Sequence, residues 1–144
     1  MNIDDCYKRR LLREGRPDPL KAEKALDIAE LRLSDAKFMV SKGYYSAGLV
    51  YGYTAMFQSA RSILFKDGIF ERSHWCVVLY LKKEYVDKHL LEPKFISWLD
   101  TFRMERHQEL YGLEPDLFQK ADAKDALEKA AMFINEMKRL VNDD

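Results

Sequence analysis

The residues best suited to chemistry lie in one run, FRMERHQELYG, from Phe102 to Gly112. Arg103, His107 and Tyr111 are four apart and Arg106 adjoins the same stripe, so on a helix two guanidiniums, an imidazole and a phenol share one face. Such a set can hold a phosphate through arginine, give or take a proton near neutral pH, and stack a base on tyrosine. The same residues also fit a plainer role. Cations near a helix C-terminus are favoured by the macrodipole, and Asp100, Glu105 and Glu109 stand close enough in sequence to pair with them. By residue type alone the balance falls on a salt-bridged surface.

Arg61 is a sharper anomaly, being the one formal charge between Gly43 and Phe65. A cation in so apolar a helix needs a partner, because an unpaired buried charge costs several kcal/mol. Asp35, Asp100, Glu105 and Glu109 are the candidates. A structural ion pair is the favoured reading, and an arginine lining a ligand cleft is the other. His74 follows Ser73 and reads as a capping or packing residue. His89 and Glu92, three apart just before Pro93, make a poor metal site, and no metal or cofactor is expected. The phosphate-loop, dinucleotide, zinc-protease, nucleophile-elbow and calcium-loop signatures are missing.

The element that must position these groups is GYYSAGLVYGYTAMFQSARSILFKDG, Gly43 to Gly68. Its apolar residues cover every face, as in a helix packed on most sides. It is long enough to span a bilayer, but Arg61 at its middle and the interspersed Ser, Thr and Gln argue for a bundle core. Four tyrosine hydroxyls need polar partners. Gly48 and Gly52, with Ala47, Ala55 and Ala60, leave room for a neighbouring backbone.

Around it, Ile3, Tyr7, Leu11 and Leu12 predict a short helix ending near Gly15, its other face carrying Lys8, Arg9, Arg10 and Arg13 as a solvated basic run. Asp18 caps and Pro19 opens a long helix to Lys42, with the seam Ala22, Ala25, Leu26, Ala29, Leu33, Ala36 and Val40. Gly43 turns it into the central helix as an antiparallel hairpin. Ile69 to Arg72 read as a connection. Ser73 caps a helix to about Lys88. Pro93 opens another, which turns Phe95, Ile96, Leu99, Phe102, Arg103, Arg106 and Leu110 inward and ends at Gly112. Leu113 to Ala121 read as a loop, and Asp122 caps the last helix. No stretch alternates with period two. The expected class is all-α, an antiparallel up-and-down bundle of four to five main helices in a single domain over 1–144.

Twenty-four basic and 24 acidic side chains cancel, so no global field draws the chain to nucleic acid or membrane. Any such contact must be local. Cys6 and Cys76 form no CxxC and suggest neither a disulfide framework nor a zinc site, which fits a reduced, cytoplasmic setting. The amino terminus does not read as a signal peptide.

The tyrosine-rich YGYTAMF, the Ala60-Arg61 pair, the Gly68 turn followed by His74, and Arg106 with Tyr111 and Gly112 occur in an order that resembles the HEPN family, the "higher eukaryotes and prokaryotes nucleotide-binding" domains. The resemblance covers about 19–141 and is closest to small stand-alone prokaryotic members. It implies a helical bundle, commonly a homodimer, with the arginine motif facing a cleft between subunits. It also implies a two-component, toxin-antitoxin-like partnership with a small nucleotidyltransferase. In members that are metal-independent ribonucleases, an arginine and a histidine four to six residues apart carry cleavage. Here Arg103 and His107 have only three residues between them, Arg106 and His107 are adjacent, and Tyr111 stands where a histidine would follow Arg106. A phenol with a pKa near about 10 is a poor base.

The favoured expectation is therefore binding of RNA or nucleotide phosphate by Arg103, Arg106 and His107, with Tyr111 nearby and Arg61 a further candidate. One alternative is a ribonuclease with His107 as acid/base and Arg103 as charge stabiliser. The other is a non-catalytic interaction scaffold.

Overall fold

A computed structural model describes residues 1–113 and 117–143. Six α-helices run in chain order: α1 (Ile3–Lys8), α2 (Pro19–Ser41), α3 (Tyr45–Asp67), α4 (His74–Leu81), α5 (Pro93–Tyr111) and α6 (Lys120–Asn142). Two three-residue strands, β1 (Leu12–Glu14) and β2 (Ile69–Glu71), pair between them. The protein is an all-α helical bundle with this one small clip.

α3 is the centre of the bundle because it faces neighbours on most sides, with twelve of its residues buried from Gly48 to Leu64, Ser59 and Ser62 among them. α2 lies antiparallel to it. The Asp18 amide donates to the Phe65 carbonyl at one end, and Gly48 faces Val40 and the Ala36 carbonyl at the other. A Cβ at Gly48 would collide with Val40 Cγ2, so this glycine does supply a close approach, whereas one at Gly52 would meet nothing within 4 Å. The predicted α2 seam is buried from Ala22 to Ala36. On α6 the stripe Ala126, Ala130, Phe133, Ile134, Met137 and Leu140 is buried as its spacing predicts. α5 contributes Phe95, Leu99 and Phe102 to the core. Leu110, expected to point inward, is 46% exposed and lines an open groove beside the start of α3.

The caps follow local chemistry. Asp18 Oδ1 accepts from the Lys21 amide 3.0 Å away, with Pro19 in the first turn. Gly68 closes α3 in the left-handed conformation at φ 77°, where a Cβ would sit 2.6 Å from the Gly15 carbonyl oxygen. Gln119, rather than Asp122, caps α6. Asp122 sits three residues on and reaches back to the Gln119 amide at 2.9 Å.

Four expectations are corrected. The first helix ends at Lys8, not near Gly15, because Arg10 takes φ 58° and turns the chain. Leu12 to Glu14 then pair antiparallel with Glu71 to Ile69, so two of the predicted helix and loop stretches hold strands. Strands this short carry too few residues for alternation to show. The helix from Ser73 stops at Leu81 and widens into a π-turn over Lys82–Val86, where Tyr85 turns inward and its hydroxyl donates to Asp67 Oδ2 at 2.6 Å. Finally, Cys6 and Cys76 are joined as a disulfide, their Cα atoms 5.9 Å apart across 70 positions of sequence. The cysteines therefore lend no support to a reducing compartment. Of the predicted loop from Leu113 to Ala121, residues 114–116 lie outside the described residues, and Lys120 and Ala121 belong to α6. No helix among the described residues is long and apolar enough to cross a membrane.

Candidate functional site

Three elements converge beside the β clip. α3 presents Tyr53, Phe57 and Arg61 at four-residue spacing, so they stack along one face. β2 leads from the Gly68 turn to Ser73, whose side chain caps α4 by accepting from the Cys76 amide at 3.2 Å. That cap fixes His74 at the first position of α4. The His74 ring stacks on Phe57 with centroids 3.8 Å apart, and its Nδ1 stands 2.8 Å from the Tyr53 hydroxyl.

α5 closes the site with its arginines. The Arg103 guanidinium lies 5.4 Å from the Trp75 ring centroid and is held by Asp100 Oδ1, 2.9 Å from both Nε and Nη2. Arg106 lies 5.8 Å from the Tyr53 centroid. No carboxylate among the described residues pairs with Arg106.

Arg61 meets none of the acids expected for it. Its Nε lies 2.9 Å from Glu71 Oε1, off the N–H axis, so the contact is an ion pair more than a formed hydrogen bond. Its Nη1 donates to Gln58 Oε1 at 3.2 Å. Sequence spacing could not propose Glu71, because only the β1–β2 pairing turns β2 toward α3. Burial pushes the Glu71 carboxyl up, and Arg61 draws it back without cancelling the effect.

The positive charge is felt at His74. Burial lowers the affinity of its ring for a proton, and Arg106, Arg103 and Arg61, in that order, lower it further. The imidazole is thus held neutral near pH 7. Tyr53 is raised, first by burial, so its phenol keeps its proton. The cluster is a half-buried polar surface with an uncompensated guanidinium, a neutral imidazole and three aromatic faces.

The family model described as HEPN domain matches residues 22–140. The chain belongs to the HEPN domain family. The match supports a nucleotide- or RNA-related function in general terms. Compared with curated proteins, the chain matches none.

Within this HEPN domain, the residues named from spacing part company. Arg103 and Arg106 join the cluster. His107 and Tyr111 do not reach it: both are exposed, and their rings stand 4.9 Å apart from each other at the end of α5. On α5 Arg106 lies about 60° to one side of Arg103 and His107 about 40° to the other, and it is the Arg106 side that turns toward α3 and α4. Tyr53, Phe57 and His74 were not singled out as site residues. The signal available for them was weak, a phenol in an apolar helix and a histidine directly after a capping serine. Among the described residues no group of three or more His, Cys, Asp or Glu is gathered to hold a metal.

Proposed function

We propose that this HEPN domain binds the phosphate of a nucleotide or of single-stranded RNA at the face shared by α3, α4 and α5. The observation that carries the reading is Arg106, a half-buried guanidinium beside Tyr53 and His74 with no carboxylate partner among the described residues. A guanidinium left with free donors and pressed by two other arginines is completed by an anion, and phosphate matches its fork. Arg103 is oriented by Asp100 and adds long-range attraction. The Tyr53 hydroxyl occupies Nδ1 of His74 at 2.8 Å and leaves Nε2 as the ring's remaining polar atom. Arg61 acts from behind, neutralised by Glu71. His107 directly follows Arg106 on the exposed side of α5 and Tyr111 stands one turn beyond His107, where RNA leaving the site would meet them.

The family resemblance adds two partners to this reading, a second copy of the chain and a small nucleotidyltransferase. Sedimentation of the purified protein and co-purification with the product of a neighbouring nucleotidyltransferase gene would check them.

The direct test is retention of end-labelled single-stranded RNA on filters across a salt series. Wild-type protein should bind with an affinity that falls as salt rises, because each neutralised phosphate releases counterions. Arg106→Gln should weaken binding and reduce the salt slope by about 0.7. RNA that fails to bind at low salt, or an Arg106→Gln protein that binds like wild type, would overturn the proposal.

A further inference from the structure

One turn from Arg106, toward the start of α3, the groove between α3 and the end of α5 opens into a cleft of about 690 Å³. Tyr44, Tyr45 and Tyr51 from the start of α3 and Phe118 before α6 line it, with Ser46, Thr54 and Glu109 as polar groups. Its volume is in the range of small-ligand pockets, about 300–1,000 Å³. Glu109 is half-buried and makes no ion pair or hydrogen bond with a described residue. The hydroxyl of Thr54 donates to the Val50 carbonyl at 3.0 Å and keeps its lone pairs for a second donor.

We infer that this cleft is a nucleobase subsite that favours guanine, an inference that rests on the phosphate reading of Arg106. Aromatic faces stack any base. Selection then falls to the polar groups, of which the Glu109 carboxylate only accepts, while the Ser46 and Thr54 hydroxyls can accept as well. The Watson–Crick edge of guanine carries two adjacent donors, the ring N–H and the exocyclic amine, which match the two oxygens of one carboxylate. Adenine and cytosine bring one amine to that edge and uracil one ring N–H, so each leaves a carboxylate oxygen without a partner. Continuity along the helices links the two sites. Glu109 follows Arg106 by three residues on α5, about 5 Å along the axis. Thr54 follows Tyr53 on α3, about 100° round the helix, so the cleft and the Arg106 cluster occupy neighbouring faces of α3.

The test is titration of the full chain with guanosine, adenosine, cytidine and uridine 5′-monophosphates, followed by calorimetry or amide NMR shifts. Wild type should bind the guanine nucleotide about tenfold more tightly than the others. Glu109→Gln should flatten that preference, Tyr44→Ala at an exposed position should weaken all four about fivefold, and Arg106→Gln should weaken all four without changing their order. Equal binding of the four by wild type, or a preference that survives Glu109→Gln, would sink the base subsite while leaving the phosphate site standing if Arg106→Gln still weakens binding. Binding indifferent to Arg106→Gln would remove the phosphate site and the subsite with it.

Discussion

The Tyr53 hydroxyl meets His74 Nδ1 at 2.8 Å across twenty-one positions of sequence, one residue on the central helix and the other at the first position of α4. This contact ties the buried helix to the half-exposed histidine and places that ring under the field of three arginines. What His74 can do follows from it. A neutral imidazole fixed by a phenol is a hydrogen-bonding group at neutral pH, and a nearby phosphate would offset the arginines and raise its proton affinity.

His74 should therefore titrate below the ordinary histidine value of about 6.5 in two-dimensional NMR. Arg106→Gln should move its midpoint upward, and so should added RNA. The native state binds fewer protons at His74 than the unfolded chain, so its contribution to stability is present above about pH 6.5 and is lost as pH falls through the lowered native value. A His74 midpoint at or above 6.5 without ligand would contradict the field described here.

The Arg61–Glu71 pair is partly sheltered, with side-chain exposures of 32% and 14%. Arg61→Met should destabilise the fold by about 1–2 kcal/mol in urea unfolding, since it leaves a carboxylate on a desolvated surface. The double variant Arg61→Met, Glu71→Gln should be more stable than the sum of its parts predicts. Strict additivity would mean that the pair contributes nothing as a pair.

At Gly68 two constraints coincide, a φ of 77° and a Cβ position 2.6 Å from the Gly15 carbonyl oxygen and 2.8 Å from the Pro17 nitrogen. Gly68→Ala should cost about 2 kcal/mol or more and loosen the β clip. The readout is the urea midpoint together with hydrogen exchange at the Gly15 amide, which donates to the Gly68 carbonyl at 2.7 Å. Wild-type exchange at Gly15 in the variant would show the turn to be tolerant.

Joining Cys6 to Cys76 closes a long loop and fastens α1 to α4, the helix that carries His74. Reduction, or Cys6→Ser with Cys76→Ser, should lower stability by about 2–4 kcal/mol. Urea curves with and without dithiothreitol test this, and coincident curves would show that the link adds nothing.

Incubation of end-labelled RNA with the protein in EDTA should leave the RNA intact, since the exposed His107 stands apart from the cluster of Arg106 and His74. Cleavage that disappears in both His107→Ala and Arg103→Ala would instead support the ribonuclease reading.

The sequence by itself determined the helices and much of their packing. Asp18 with Pro19, Gly68, Ser73, Pro93 and Gly112 mark helix ends through backbone chemistry that acts within a few residues. The α2 and α6 seams show as periodicity because a helix turns its burial into a repeat. Arg103 and Arg106 could be named for the same reason, since both sit on one readable face. The tertiary structure decided every pairing between elements: Tyr53 with His74, Arg61 with Glu71, Cys6 with Cys76, and the strand of Leu12 with that of Glu71. Periodicity reports which face of an element is buried and is silent on which residue of another element it meets. That choice is made by the turns at Arg10 and Gly68 and by the close approach at Gly48, which set how the elements lie together. His107 and Arg106, adjacent in sequence, thereby ended on different faces, and His74, 32 positions before Arg106, ended within reach of its charge.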